Sequence, residues 1–104
     1  MDKDDTRPEE AAKNAADPNR LLEGEDPSTP HPEEARHWVD VYSELLTFKE
    51  RTISTAQRDV AELPKPEARE EAEQTDMVVL EAERDRLQQR LDFWKRRHRE
   101  LSAK

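Results

Sequence analysis

Leu80, Leu87, Trp94 and Leu101 recur every seven residues, and Met77, Leu91 and His98 fall three before or four after members of that row. Apolar residues repeating in heptads form the seam along which helices pack, so Met77 to Leu101 reads as a long helix that needs a partner. The same chain supplies one. Val39, Leu46, Ile53 and Val60 form an unbroken heptad upstream, and Ala35, Tyr42, Lys49, Ala56 and Leu63 make a second row offset by three. Together these two rows are one stripe, interrupted by Lys49, as Arg84 interrupts the downstream one.

Between the stripes stands Leu63-Pro64-Lys65-Pro66. Pro64 disfavours helical geometry in the residue before it and cannot donate an amide proton, whereas Pro66 suits the first position of a new helix. Upstream, Pro32 plays the same starting role: His31 is placed to cap, and Glu34 sits where a capping-box acid would. These signals predict a helix over 32–63, a turn at 64–65 and a helix over 66–103. A short link between long amphipathic helices favours an antiparallel arrangement. The expected fold is therefore all-α, a two-helix antiparallel coiled-coil hairpin, with Ala35 opposite Trp94, Tyr42 opposite Leu87 and Ile53 opposite Met77.

Residues 1–31 look different. They hold nine acidic and four basic residues, and five of the seven prolines stand at positions 8, 18, 27, 30 and 32. With Leu21-Leu22 as the one clear apolar pair, no face is available to offset the entropy of ordering, and the segment is expected to be a disordered acidic tail. The leucine pair reads either as a short docking motif or as a loosely packed linker.

A two-helix seam buries little, and several large apolar residues lie outside it. Trp38, Leu45 and Phe48 on the first helix and Phe93 on the second cannot all enter a seam that takes two positions in seven. Exposed together they would form a patch of the kind that marks association. This predicts a homodimer or higher homo-oligomer, a four-helix bundle of two hairpins, with Trp38, Leu45, Phe48, Phe93 and Trp94 as interaction residues.

The charges on the second helix are segregated. Residues 65–83 carry seven acids and two bases, residues 84–104 eight bases and three acids. Arg90, Lys95, Arg96, Arg97 and Arg99 are candidates for contact with an anionic partner, either nucleic acid or an acidic protein surface. The bland alternative is that cations gather at a helix C-terminus to oppose its dipole. A formal net charge of -8 repels phosphate at long range and weighs against nucleic acid. A third possibility is intramolecular, with the acidic tail folding over the basic patch as a shield.

The remaining chemistry is sparse. Absence of cysteine excludes a disulfide scaffold and a thiolate metal site. His31, His37 and His98 lack the three- or four-residue helical spacing of a paired zinc site. Asp59, Glu62, Glu67, Glu70 and Glu71 cluster near the turn, but a solvated helix end offers no pocket to raise one of their pKa values. There is no glycine-rich phosphate loop, and no nucleophile stands at a readable spacing from a base. No catalytic, cofactor or metal site is expected. With no apolar run near the ~20 residues that span a bilayer and an acidic start unlike a targeting peptide, the chain is expected to be cytoplasmic and to have no membrane partner. The sequence thus points to a non-enzymatic interaction or regulatory adaptor module with a protein partner, and secondarily to a nucleic-acid-binding or transcription-associated regulator.

Overall fold

The computed structural model describes residue 17 and residues 19–103, and the described part contains helices and no strand. Helix α1 spans Pro32–Ala61, a short helix α2 spans Pro66–Gln74, and α3 spans Asp76–Ser102. None of the three is long and apolar enough to cross a membrane. Helices α1 and α3 lie against each other and run in opposite directions. Trp38 stacks on Trp94 near one end, with ring centroids 6.3 Å apart, and Lys49 meets Glu83 at 3.2 Å further along.

The stripes of the sequence are the faces that meet. Ala35, Tyr42 and Leu46 of α1 and Leu87, Leu91, Trp94 and Leu101 of α3 form the core cluster, with Ile53 and Met77 buried beyond it. Val39, Val60 and Leu80 are only half-buried. Trp94 lies over Trp38 and shares the core cluster with Ala35, the residue expected opposite it. Lys49, the polar residue in the stripe, is accommodated by its ion pair with Glu83, and Arg84 pairs at 3.2 Å with the adjacent Asp85.

The boundaries correct the expected ones in three places. First, α1 ends at Ala61 rather than residue 63, with Glu62 closing the last turn through its amide to Arg58 and Asp59 carbonyls. The proline link is thus four residues, 62–65, and Arg69 secures it by donating to the Leu63 carbonyl at 2.5 Å. Second, the helix expected over 66–103 breaks at Thr75, whose φ and ψ are -115 and -86. The Thr75 hydroxyl donates back to the Glu71 carbonyl at 2.7 Å, a local bond that loosens a helix slightly. Thr47 and Thr52 make the same bond within the unbroken α1, so it breaks a helix only where packing does not hold the segment in line. No residue of α2 is fully buried, so nothing holds that segment in line with α3.

Third, the expected disordered tail divides. Residues 1–16 and 18 lie outside the described residues. From residue 19 to His31 the chain is a non-helical strap laid across the end of the helix pair where α1 begins and α3 finishes. Leu22 packs on the core cluster, while Glu25 and Thr29 are buried. The expected capping box at α1 is altered for the same reason. Glu34 accepts from the Thr29 hydroxyl at 2.5 Å, and that hydroxyl accepts from the His31 amide at 3.3 Å, so the strap's threonine stands between the two residues expected to pair directly.

Replacing Thr75 by alanine removes both the back-bond and the β-branch, and alanine's helix propensity exceeds threonine's by about 0.5 kcal/mol. The variant should gain helical circular dichroism and melt slightly higher as α2 and α3 join. An unchanged helical signal would mean that the break is imposed by packing and not by Thr75.

Candidate functional site

The strap is positioned by one tight turn. The Glu25 amide donates to the Leu22 carbonyl at 3.1 Å, and Gly24, the only glycine in the chain, has φ +82 at the third position of that turn. A type II turn requires this left-handed value there, and glycine adopts it without steric cost. A β-carbon at Gly24 would meet nothing within 4 Å, so glycine is needed for its backbone conformation and not for space. Two further turns, closed by the Arg20 amide to Asp17 and the Thr29 amide to Asp26, complete the strap.

The turn delivers the Glu25 carboxylate between the helices, where it is fully enclosed. One oxygen accepts from the Tyr42 hydroxyl at 2.5 Å and from the Leu22 amide at 2.9 Å. The other accepts from the Arg90 guanidinium at 2.5 Å and from the Trp94 indole N–H at 2.7 Å. A carboxylate offers about four acceptor sites, and all are used, by donors from α1, α3 and the strap itself. The Arg90 side chain is 8% exposed and that of Glu25 0%, so this ion pair is desolvated on both sides. The Phe93 ring covers the guanidinium from 4.6 Å.

Two more arginines of α3 reach for the strap's backbone. Arg86, also buried, donates to the Arg20 carbonyl at 3.3 Å, and Arg97 donates to the Thr29 carbonyl at 3.0 Å. Arg86 and Arg97 each keep a buried Nε–H without a hydrogen-bond partner among the described residues.

Burial by itself pushes the Glu25 carboxyl up, but the Tyr42 hydroxyl, the Leu22 amide, Arg90 and Trp94 together hold it below its usual value of 4.5. Tyr42 moves the other way: burial and its hydrogen bond to Glu25 push the phenol up to about 12. The ionised acid and the neutral phenol stabilise one another.

The residues singled out in the sequence fall on both sides of this arrangement. Trp94 is 0% exposed and Arg90 is buried, so neither presents a surface to a partner. Trp38 and Phe93 are half-buried and pack on the core cluster. Arg97 is half-buried, held by the strap and, at 3.8 Å, by Glu100. Lys95, Arg96 and Arg99 remain exposed. Leu45 and Phe48 are exposed at 37% and 66%. Among the described residues no three histidine or carboxylate side chains converge as metal ligands, and His37 instead packs edge-on to Trp38 at 5.0 Å. A hollow of about 330 Å³ beside the helix break is lined by Gln57, Val60, Ala61, Glu73, Met77 and Glu81. Its polar lining is two carboxylates, Glu73 and Glu81, and the Gln57 amide.

Glu25, Arg86 and Thr29 carried no assignment in the sequence, and Tyr42 was placed only as a seam residue. One signal was present: Arg86, Arg90 and Trp94 follow one another every four residues, on one helical face at the edge of the seam. Guanidinium groups that close to a core require an acid, and none of the seam positions opposite provides it. The chain matches no protein-family model, no curated protein and no solved structure.

The two titrations set a pH window for the closed strap. Glu25 has a lowered folded pKa, so its contribution is present above about pH 4.5 and is lost as pH falls through the lower folded value. Tyr42 has a raised one, so its contribution is complete below pH 10 and is lost as pH rises toward about 12. Quenching of tryptophan fluorescence by acrylamide should therefore rise at both extremes. Tyr42→Phe, which removes a hydrogen bond to a charged acceptor worth about 1.5–3 kcal/mol, should abolish the alkaline limb attributable to this phenol and retain the acid limb. An alkaline limb of undiminished size in the variant would assign it to another group.

Gly24→Ala tests the turn. A β-carbon in the left-handed region costs about 1–2 kcal/mol, so the variant should show greater tryptophan quenching with its helical circular dichroism intact. Equal quenching in both proteins would show that the turn does not govern delivery of Glu25.

Proposed function

We propose that the protein is a non-enzymatic interaction module of the cytoplasm, a helical coiled-coil hairpin that self-associates through the outer face of α1 into a four-helix bundle and serves as a regulatory adaptor. The observation that carries this reading is the exposure of Phe48 and Leu45, one turn apart on the face of α1 turned away from α3. Val41 and Thr52 lie half-buried on the same face, and a shallow groove beside Phe48 is lined by Arg51, Thr52, Thr55, Ala56 and Asp59. A large aromatic residue two-thirds exposed in a chain with two phenylalanines is an anchor awaiting a cavity.

The occupant we assign to this face is a second copy of the chain, because an isologous two-fold contact sets the same apolar patch of each protomer against the other. The surface is smaller than composition suggested, because Trp38 and Phe93 are occupied within their own chain. Nucleic-acid binding recedes on similar grounds. Arg90 is paired with Glu25 and Arg97 is tied to the strap, which leaves Lys95, Arg96 and Arg99 as the exposed cations of the original five.

Replacing Leu45 and Phe48 together by glutamate should halve the mass measured by light scattering. Neither residue belongs to the core cluster, so the helical signal should survive. A wild-type protein that is monomeric at tens of micromolar, or a double variant of unchanged mass, would show that this face serves a different partner.

A further inference from the structure

We propose that the cleft between α1 and α3 that receives Glu25 is an exchangeable site for an acidic peptide with leucine and glutamate three residues apart, occupied in this structure by the chain's own strap. The helices, not the strap, supply the reading groups. Tyr42, Arg90 and Trp94 converge on one carboxylate, Arg86 and Arg97 each take one backbone carbonyl to either side of it, and the core cluster receives the side chain of Leu22. A carboxylate, two carbonyls and one leucine are what an acidic segment of that spacing can offer if it makes the same turn, as a glycine before the glutamate allows.

Three observations favour exchange over permanent closure. The strap forms no helix or strand, and its own backbone hydrogen bonds are local turns, so it leaves without breaking a ladder that spans the molecule. The lining is more polar than closure requires, since well-packed apolar residues cover a helix end at least as well as a buried ion pair. What the arrangement adds is selectivity for a carboxylate held by several donors at once. Finally, the Nε–H groups of Arg86 and Arg97 have no partner among the described residues while the strap is bound, so a peptide with one more acceptor at either place is held better than the resident segment. The emptied cleft would strand the Arg90 charge beside the core, so a newcomer displaces the strap and does not wait for it to leave.

The strap reaches its cleft through the short connection from Thr29 to Pro32, and tethering of this kind corresponds to a local concentration on the order of millimolar. An untethered copy of the same peptide therefore competes only when the tethered one is weakened. The test uses the full chain carrying Glu25→Ala and a synthetic peptide of residues 19–31, with binding followed by tryptophan fluorescence. The variant is expected to bind the peptide, wild-type protein to ignore it below about millimolar, and a peptide carrying Glu25→Gln to bind the variant about tenfold or more weakly. A folded variant that gives no fluorescence response, or that binds both peptides equally, overturns the proposal. Should Glu25→Ala lose its helical signal, amide exchange on the wild-type protein decides. The Leu22 and Glu25 amides are expected to exchange faster than those of Leu87 to Leu91, and equal rates would mean that the strap opens only when the whole fold does.

Discussion

One carboxylate joins three pieces of chain, the strap, α1 and α3, at the end of the molecule where α1 begins and α3 finishes. Glu25 accepts hydrogen bonds from α1, from α3 and from its own turn, and the side chains that make them are also core residues. Tyr42 and Trp94 are both fully buried, and each would leave a polar group unsatisfied beside the core if the acid were missing. The register of the helices, the stacking of Trp38 on Trp94 and the path of the strap therefore depend on the same ionised group. The Tyr42 hydroxyl, the Leu22 amide, Arg90 and Trp94 together keep it ionised against the cost of burial, and the Phe93 ring covers the Arg90 guanidinium.

Much of the helical part was legible because it is periodic. Tyr42, Leu46, Ile53, Leu87, Leu91, Trp94 and Leu101 were marked by their spacing and are buried. The starts of α1 and α2 were marked by Pro32 and Pro66. The strap was legible only as an acidic segment that could fold over the basic part of the second helix; which acid anchors it, and that residues 19–31 form a defined path, was not legible, for a physical reason. Its order comes largely from donors on α3 that are 65 to 69 residues away along the sequence, and no local rule distinguishes Glu25 from the eight other acids of that region. Gly24 is the nearest thing to a local marker, since it alone can make the turn. The break at Thr75 was hidden because threonine is tolerated within helices, and whether its hydroxyl bends one depends on how firmly the flanking segment is packed. Trp94 was read both as a seam residue opposite Ala35 and as a contact for a partner chain, and it is buried in its own core with its indole N–H on Glu25: a large aromatic residue announces burial without announcing against what.

The exposed apolar face and the arginine-lined cleft lie on different parts of the molecule and use different chemistry. Leu45 and Phe48 sit outward on the middle of α1, whereas the cleft lies between α1 and α3 at the end where the strap enters. The first surface selects by shape and apolar area, the second by charge and hydrogen-bond geometry. Tyr42 and Trp38 lie one and two turns from Leu45, and Trp38 contacts both Tyr42 and Trp94 of the cleft.

The break at Thr75 gives the molecule a strong end and a weak one. The large aromatic residues, the buried ion pair and the strap are gathered where α1 begins and α3 finishes, while the far end consists of a four-residue link and a helix with no buried residue. Thermal opening accordingly begins at the link and travels toward the strap. A cut in the link would separate the chain into two segments still gripping each other through Glu25, so continuity of the backbone at the turn is less important to the pair than one side chain near its opposite end.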